Sequence, residues 1–168
     1  MSRPARWILV LSMLACGRSP PPEPRLANGE KIWISAGGVS LRVEVASTPE
    51  SRSRGLMLRE DLEWNEGILF VFDREGIYGF WMKDTFLPLS IAFVDSRRTI
   101  VAIEDMAPLD ESIHLPPRPV LYALEVHRDW FRTHGVRVGD RLEFLGSPPP
   151  QEPGGALRDE SSAPREQP

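Results

Sequence analysis

Val39-Ser40-Leu41-Arg42-Val43-Glu44-Val45-Ala46 sets branched or long apolar residues at every second position, with mostly polar residues between them. That period places the apolar side chains on one face of an extended chain, so the stretch predicts a strand with one buried and one wet face. The β signal recurs on the C-terminal side. Ile68-Leu69-Phe70-Val71-Phe72 is a continuous apolar run of strand length, expected to be buried on both faces. Tyr78 to Lys83, Ser90 to Val94, Thr99 to Ile103, Val120 to Val126 and Arg141 to Leu145 are further strand candidates, with Asp95 to Arg98 as a hairpin loop. Two short helices punctuate the pattern. Thr48 is placed to cap the first, with Pro49 at its first position, Glu50 near the positive end of its dipole and Gly55 as its stop. The second runs from about Asp129 to His134 and stops at Gly135. Short strands separated by turn signals predict a mainly β fold, a compact β-sandwich or barrel with one or two short helices.

The 168 residues suffice for one domain with a core. The formal charge of -4 provides no broad basic field for nucleic acid. The ends differ from the body. Arg3 and Arg6 precede the apolar run Trp7 to Leu14, which is far short of the roughly 20 residues that span a bilayer. The run ends at Leu14-Ala15-Cys16-Gly17, which resembles the lipobox of bacterial lipoproteins, with Met13 where Leu is commoner. Residues 1–15 are therefore expected to be a signal peptide and Cys16 the lipidated N-terminus. Cleavage after Ala15 by ordinary signal peptidase, leaving a soluble periplasmic protein, is the alternative. Cys16 is the only cysteine, so no intrachain disulfide can form. Diacylation gives stable anchoring where one chain is marginal. Gly17 after the cysteine, by resemblance to Gram-negative lipoproteins, points to the outer membrane facing the periplasm. Residues 16–30 read as a proline-rich linker, 31–146 as the β-rich domain and 147–168 as a disordered tail.

Within the body, a strand from Gly79 to Thr85 would put Tyr78, Phe80 and Met82 toward the core. Gly79, Trp81, Lys83 and Thr85 would then share the other side. An aromatic plate, an ammonium and a hydroxyl on one surface suit a small polar or anionic ligand. Alternatively, Lys83 lies over Trp81 as a surface cation–π pair worth ~0.5–1 kcal/mol. Lysine occurs only at Lys31 and Lys83 among the 20 basic residues, which marks position 83. Arg54 and Arg59 flank a glycine turn. Arg54 reads as complementing the helix dipole, and Arg59 as either an anion clamp or the partner of a nearby carboxylate. Glu125 is a candidate base that more simply pairs with an arginine. Adjacent Glu104 and Asp105 point to opposite faces and make a poor acid/base pair. His114, His127 and His134 do not fit zinc spacing, and neither a glycine-rich phosphate loop nor a Gly-x-Ser-x-Gly elbow is present. No metal or cofactor is expected.

Arg54-Gly55-Leu56-Met57, Gly67-Ile68-Leu69-Phe70, Phe80-Trp81-Met82-Lys83, Thr85 with Pro88, Leu124-Glu125 and Val138-Gly139-Asp140 together resemble domain-of-unknown-function family 192, over Leu41 to Phe144. The resemblance implies a compact β-sandwich or barrel with small helices, and no established chemistry. Asp84 stands where that family usually has Asn, Ser90 where it has Asp, and Ile68 where it has Met. The expected function is an exported envelope lipoprotein that binds a small polar or anionic ligand through Arg59, Trp81, Lys83, Asp84 and Thr85. The alternative is an enzyme acting on a cell-envelope polymer, with Lys83 and a nearby carboxylate as acid/base groups. Replacing Cys16 by Ser is expected to leave an unprocessed or soluble form, whereas the wild type fractionates with membranes. Detergent-free release of the wild type, with a free thiol by mass spectrometry, would overturn the lipid anchor.

Overall fold

The computed structural model describes residues 26–145. Residues 1–15, expected to be a signal peptide, Cys16 and the expected tail 147–168 lie outside the described residues. Seven strands form one sheet: β1 (Lys31–Ala36), β2 (Val39–Ala46), β3 (Glu66–Gly76), β4 (Leu89–Val94), β5 (Ile100–Met106), β6 (Val120–His127) and β7 (Leu142–Leu145). Helices α1 (Pro49–Arg54) and α2 (Trp130–Thr133) complete the elements among the described residues. The spatial order is β5-β4-β6-β3-β2-β1-β7. All neighbours are antiparallel except β2 and β3, which run parallel. The sheet curls into a half-barrel whose two edges meet at one end. There Thr99 bridges Arg141, the Ile100 N–H donates to the Asp140 carbonyl at 2.9 Å, and the Leu142 N–H donates to the Arg98 carbonyl at 2.8 Å. The mainly β expectation holds, with the barrel-like curl realised in a single sheet.

Alternation along the strands separates two cores. Ile34, Leu41, Val43, Leu69, Ala92, Ile100, Leu124 and Leu142 come from all seven strands and fill the inside of the curl, joined by Trp130 and Phe131 of α2. The intervening residues Ile68, Phe70, Ile91, Phe93 and Ala123 form a second cluster on the outer face. That face is covered by Leu56, Phe80, Met82 and Leu87 from the segments after α1 and before β4. The central strands are thus apolar on both faces, which explains the unbroken run in β3.

Local chemistry accounts for α1. Thr48 is extended, its Oγ1 accepts from the Ser51 N–H at 3.2 Å, and the Ser51 hydroxyl reciprocates to the Thr48 N–H at 3.1 Å. Asn28 Oδ1 accepts from the Ser47 and Thr48 N–H groups, tying the chain before β1 to this cap. Gly55 ends the helix at φ 49, a value side chains disfavour. Leu26 packs partly buried against the inner core, so the end of the stretch read as linker lies on the domain.

Three elements differ from the sequence reading. β1 had no clear alternation, because Ile32 and Trp33 are both half-buried and full burial begins only at Ile34. β3 runs on past Phe72 to Gly76. Tyr78 to Lys83 is not a strand. Only Phe80 bridges a neighbour, His114, and the segment lies over the outer face instead of extending the sheet. Its side-to-side alternation persists through Lys83, then a turn from Met82 to Thr85 breaks it.

On β3, Gly67 pairs with Val126 of β6 and leaves no room for a side chain. A Cβ there would lie 2.4 Å from the Glu125 carbonyl oxygen and 3.0 Å from Val126 Cγ1. Gly67→Ala is accordingly expected to lower stability by about 3 kcal/mol, seen as a lower urea midpoint, since backbone cannot step aside as a side chain can. An unchanged midpoint would mean that β3 and β6 separate at little cost.

Candidate functional site

The outer cover does not close over the sheet completely. Between α1, the segment 78–85 and strands β3 and β6 lies a pocket of about 340 Å³, within the range of small-ligand sites. One wall comes from α1 and its exit, Arg52 to Met57. The opposite wall is Tyr78 to Met82 with Thr85. Five aromatic residues line it: Phe70, Phe72, Tyr78, Phe80 and Trp81. Their arrangement is specific. Phe72 and Tyr78 stack at 3.6 Å, and Phe80 meets the edge of Phe70 at 5.0 Å and of Phe93 at 5.7 Å. Such pairs add to area burial and hold the walls rigid.

Glu125 forms part of this lining from the middle of β6. Its register neighbours are Ile68 on β3 and Ile91 on β4. The side chain is 5 % exposed and has no hydrogen-bond or ion-pair partner among the described residues. Burial pushes its carboxyl up to about 8, because a charge there loses its hydration with nothing in return. The arginine partner expected for Glu125 is not there. Arg52 lines the same pocket but is committed: its Nη1 donates to the Ser47 carbonyl at 2.6 Å and the Val71 carbonyl at 2.9 Å, and its guanidinium lies 5.1 Å from the Phe72 ring centre. It clamps α1 to β3. Arg54 is exposed on the pocket lining and forms no ion pair or hydrogen bond among the described residues.

The residues singled out from sequence divide. Trp81, 42 % exposed, and Thr85, 4 % exposed, both line the pocket. Lys83 does not. Its Nζ sits 5.4 Å from the Trp81 ring centre, the surface cation–π arrangement, and it lies within hydrogen-bond reach of neither Glu125 nor Asp84. Asp84 is exposed at φ 51, the position where the turn needs a left-handed residue, and its carbonyl accepts from the Leu58 N–H at 2.8 Å. Arg59 pairs with Glu44 of β2, away from the pocket. Thr85 turns inward because its N–H bonds the Met82 carbonyl and its Oγ1 the Lys83 carbonyl, both at 3.1 Å. Glu104 and Asp105 do face apart: Glu104 pairs with His114 Nδ1 at 2.9 Å, while Asp105 accepts from Ser90 Oγ on β4. A second carboxylate at position 90 would repel Asp105, whereas the serine donates to it. Among the described residues, no group of three or more His, Cys, Asp or Glu could hold a metal ion.

Sequence reasoning missed Arg52, Phe72 and the burial of Glu125. The available signal was Glu125 set within Val120-Leu121-Tyr122-Ala123-Leu124-Glu125-Val126, a run as apolar as β3 and hence a strand covered on both sides.

The raised carboxyl has a stability consequence of definite sign. Unfolded, Glu125 ionises near 4.5, and folded near 8. Between those values the folded state binds more protons, so stability falls as pH rises from about 4.5 to about 8 and levels beyond. The full effect is on the order of 4 kcal/mol. Glu125→Gln, neutral throughout, is expected to match the wild type near pH 4 and exceed it by a few kcal/mol at pH 8 in urea unfolding. All other titrating groups are common to the two proteins, so parallel pH profiles would show that the carboxyl is hydrated.

Comparison with known proteins follows the same boundaries. The model of the DUF192 family, described as Uncharacterized ACR, matches residues 32–144. A crystal structure from Sinorhizobium meliloti 1021, assigned provisionally as a transcription regulator, is 36% identical with a TM-score of 0.66, over 70% of this chain and 96% of that one. A protein of unknown function from Novosphingobium aromaticivorans DSM 12444 is 28% identical with a TM-score of 0.62, over 67% of this chain and 83% of that one. No curated protein gives a significant match.

Proposed function

This chain belongs to the DUF192 family, and from that premise we propose that it is an exported, lipid-anchored module that binds a small organic ligand in the pocket between α1 and the segment 78–85. The observation that carries the reading is the buried Glu125 carboxyl, without a partner among the described residues, in an aromatic-lined cavity. A buried polar group without a partner costs stability, and such costs concentrate where a ligand completes the set. Trp81 supplies ring surface at the entrance and Thr85 a hydroxyl in the wall. Lys83 is a rim residue over Trp81 in this reading. The lipid anchor at Cys16, in the outer membrane facing the periplasm, remains part of the proposal on the strength of the Ala15-Cys16-Gly17 junction.

Binding is favoured over acid/base catalysis because Lys83 and Glu125 do not share a cavity. Lys83 also lies within hydrogen-bond reach of neither Glu125 nor Asp84, the two carboxyls that an acid/base pair would need. DNA binding is not carried over from the Sinorhizobium protein. The formal charge is -4, and the two helices among the described residues, of six and four residues, are too short to read a groove.

Ser53 is exposed on α1 and lines the pocket, so Ser53→Trp fills the cavity without disturbing the core. A chemically broad thermal-shift screen is expected to yield compounds that raise the melting temperature of the wild type and not of Ser53→Trp. Lys83→Met should leave both stability, within ~1 kcal/mol, and those shifts nearly unchanged. The absence of any compound that Ser53→Trp blocks would overturn the reading.

A further inference from the structure

The pocket's charges and rings are not spread evenly. The carboxyl belongs to a fully paired central strand, and the free guanidinium belongs to the exposed end of α1. Resting on the pocket reading above, the geometry points to a ligand class: an organic zwitterion that carries its ammonium to Glu125, fills the ring-lined space with an apolar body, and leaves a carboxylate or phosphate at Arg54.

Each part answers a feature that is otherwise unexplained. Glu125 has acceptor capacity that no group among the described residues uses, and an ammonium offers three donors and the opposite charge. Aromatic faces carry negative potential, so a cation among Phe70, Phe80 and Trp81 is favoured beyond its contact with the carboxyl. An anionic group is disfavoured beside Glu125, because it would face either an ionised carboxylate or the acid proton, the Thr85 and Tyr78 hydroxyls being committed to the Lys83 and Arg74 carbonyls. A simple amine is the poorer fit, since Arg52 and Arg54 stand on the wall it must pass. An anionic end on the ligand turns that repulsion into attraction at Arg54, where the fork can take a carboxylate or phosphate in bidentate fashion. The charged or titratable side chains that line the pocket with Glu125 are Arg52 and Arg54 from α1 and Tyr78 from the covering segment. β3 and β4 present Ile68 and Ile91 beside it.

The exchange balances in protons. At neutral pH the empty pocket holds a protonated carboxyl, and the bound state pairs a carboxylate with the ligand's ammonium, so one proton leaves to solvent. Titration calorimetry of the full-length protein at pH 7, in buffers of different ionisation enthalpy, reads this directly. The probes are 4-(2-aminoethyl)benzoate, 2-phenylethylamine and 3-phenylpropionate, which share a ring and differ in charge. The expected order of affinity is zwitterion, then amine, then acid, with about one proton released by the first two. Glu125→Gln is expected to weaken the zwitterion at least about tenfold and abolish the proton release. Arg54→Met is expected to weaken the zwitterion about threefold and leave the amine unchanged or slightly tighter. If 3-phenylpropionate binds most tightly, or the amines bind without releasing a proton, the ligand class is wrong. The pocket itself then still stands, provided Ser53→Trp blocks whatever binds. If Ser53→Trp blocks none of these probes and no compound of the thermal-shift screen, both the class and the pocket reading fall.

Discussion

The parallel pairing of β2 with β3 is the constraint on which the rest of the structure depends. Antiparallel neighbours can be joined by a tight turn, but a parallel pair obliges the chain to leave the sheet, travel its length and re-enter from the same end. Here that return is made by residues 47–65. They cross the outer face, bring α1 with them, and set Leu56 onto Ile68, Phe70 and Met82. Without the crossover the outer face of β3 would be an exposed apolar strip. With it, the strip is covered at one side only, and the segment before β4 must cover the other. The pocket is the seam between these two covers.

That seam explains how a glutamate comes to rest in an apolar environment. β6 lies between β3 and β4, so every second residue faces the inner core and the others face the covers. Ala123 and Glu125 are of the second kind. At Ala123 the covers close, while at Glu125 they part. The resulting cavity has walls braced by ring stacking and by the Arg52 clamp from α1 to the β3 backbone. The energetic penalty of the buried acid is local, and the two cores on either side of the sheet are large enough to carry it.

Much of this architecture was legible from residue pattern. β2, the double-sided run of β3, the β4–β5 hairpin and the capped α1 all rest on local rules: alternation, apolar continuity, a turn sequence, and Thr48 with Pro49 and Gly55. What escaped was non-local. β1 owes its existence to pairing on both sides, not to its own alternation. Tyr78 to Lys83 has the alternation of a strand, because a segment lying flat on a sheet also buries every second residue. The site was half legible for the same reason. Trp81 and Thr85 were found through that alternation, although Thr85 turned inward by its own turn. Arg59 was seen as a charge near a glycine, but its partner Glu44 lies on another strand. Glu125 was visible as a residue, and its isolation was not, because nothing in its neighbourhood along the chain says which arginines the crossover brings near.

The place of β6 in the sheet also bears on how the molecule is assembled. It is the sixth strand made and the third in spatial order, wedged between two units that precede it: β1-β2-β3 and the β4–β5 hairpin. A chain growing from its N-terminus therefore carries two incomplete sheets, each ending in an apolar edge with unsatisfied backbone groups, until residues 120–127 arrive to join them. Strand insertion between preformed halves closes long loops late and is inherently slow. During that interval the open edges of β3 and β4 are the parts of the nascent molecule most prone to pair with a neighbouring chain, and an assisting chaperone would have to shield them.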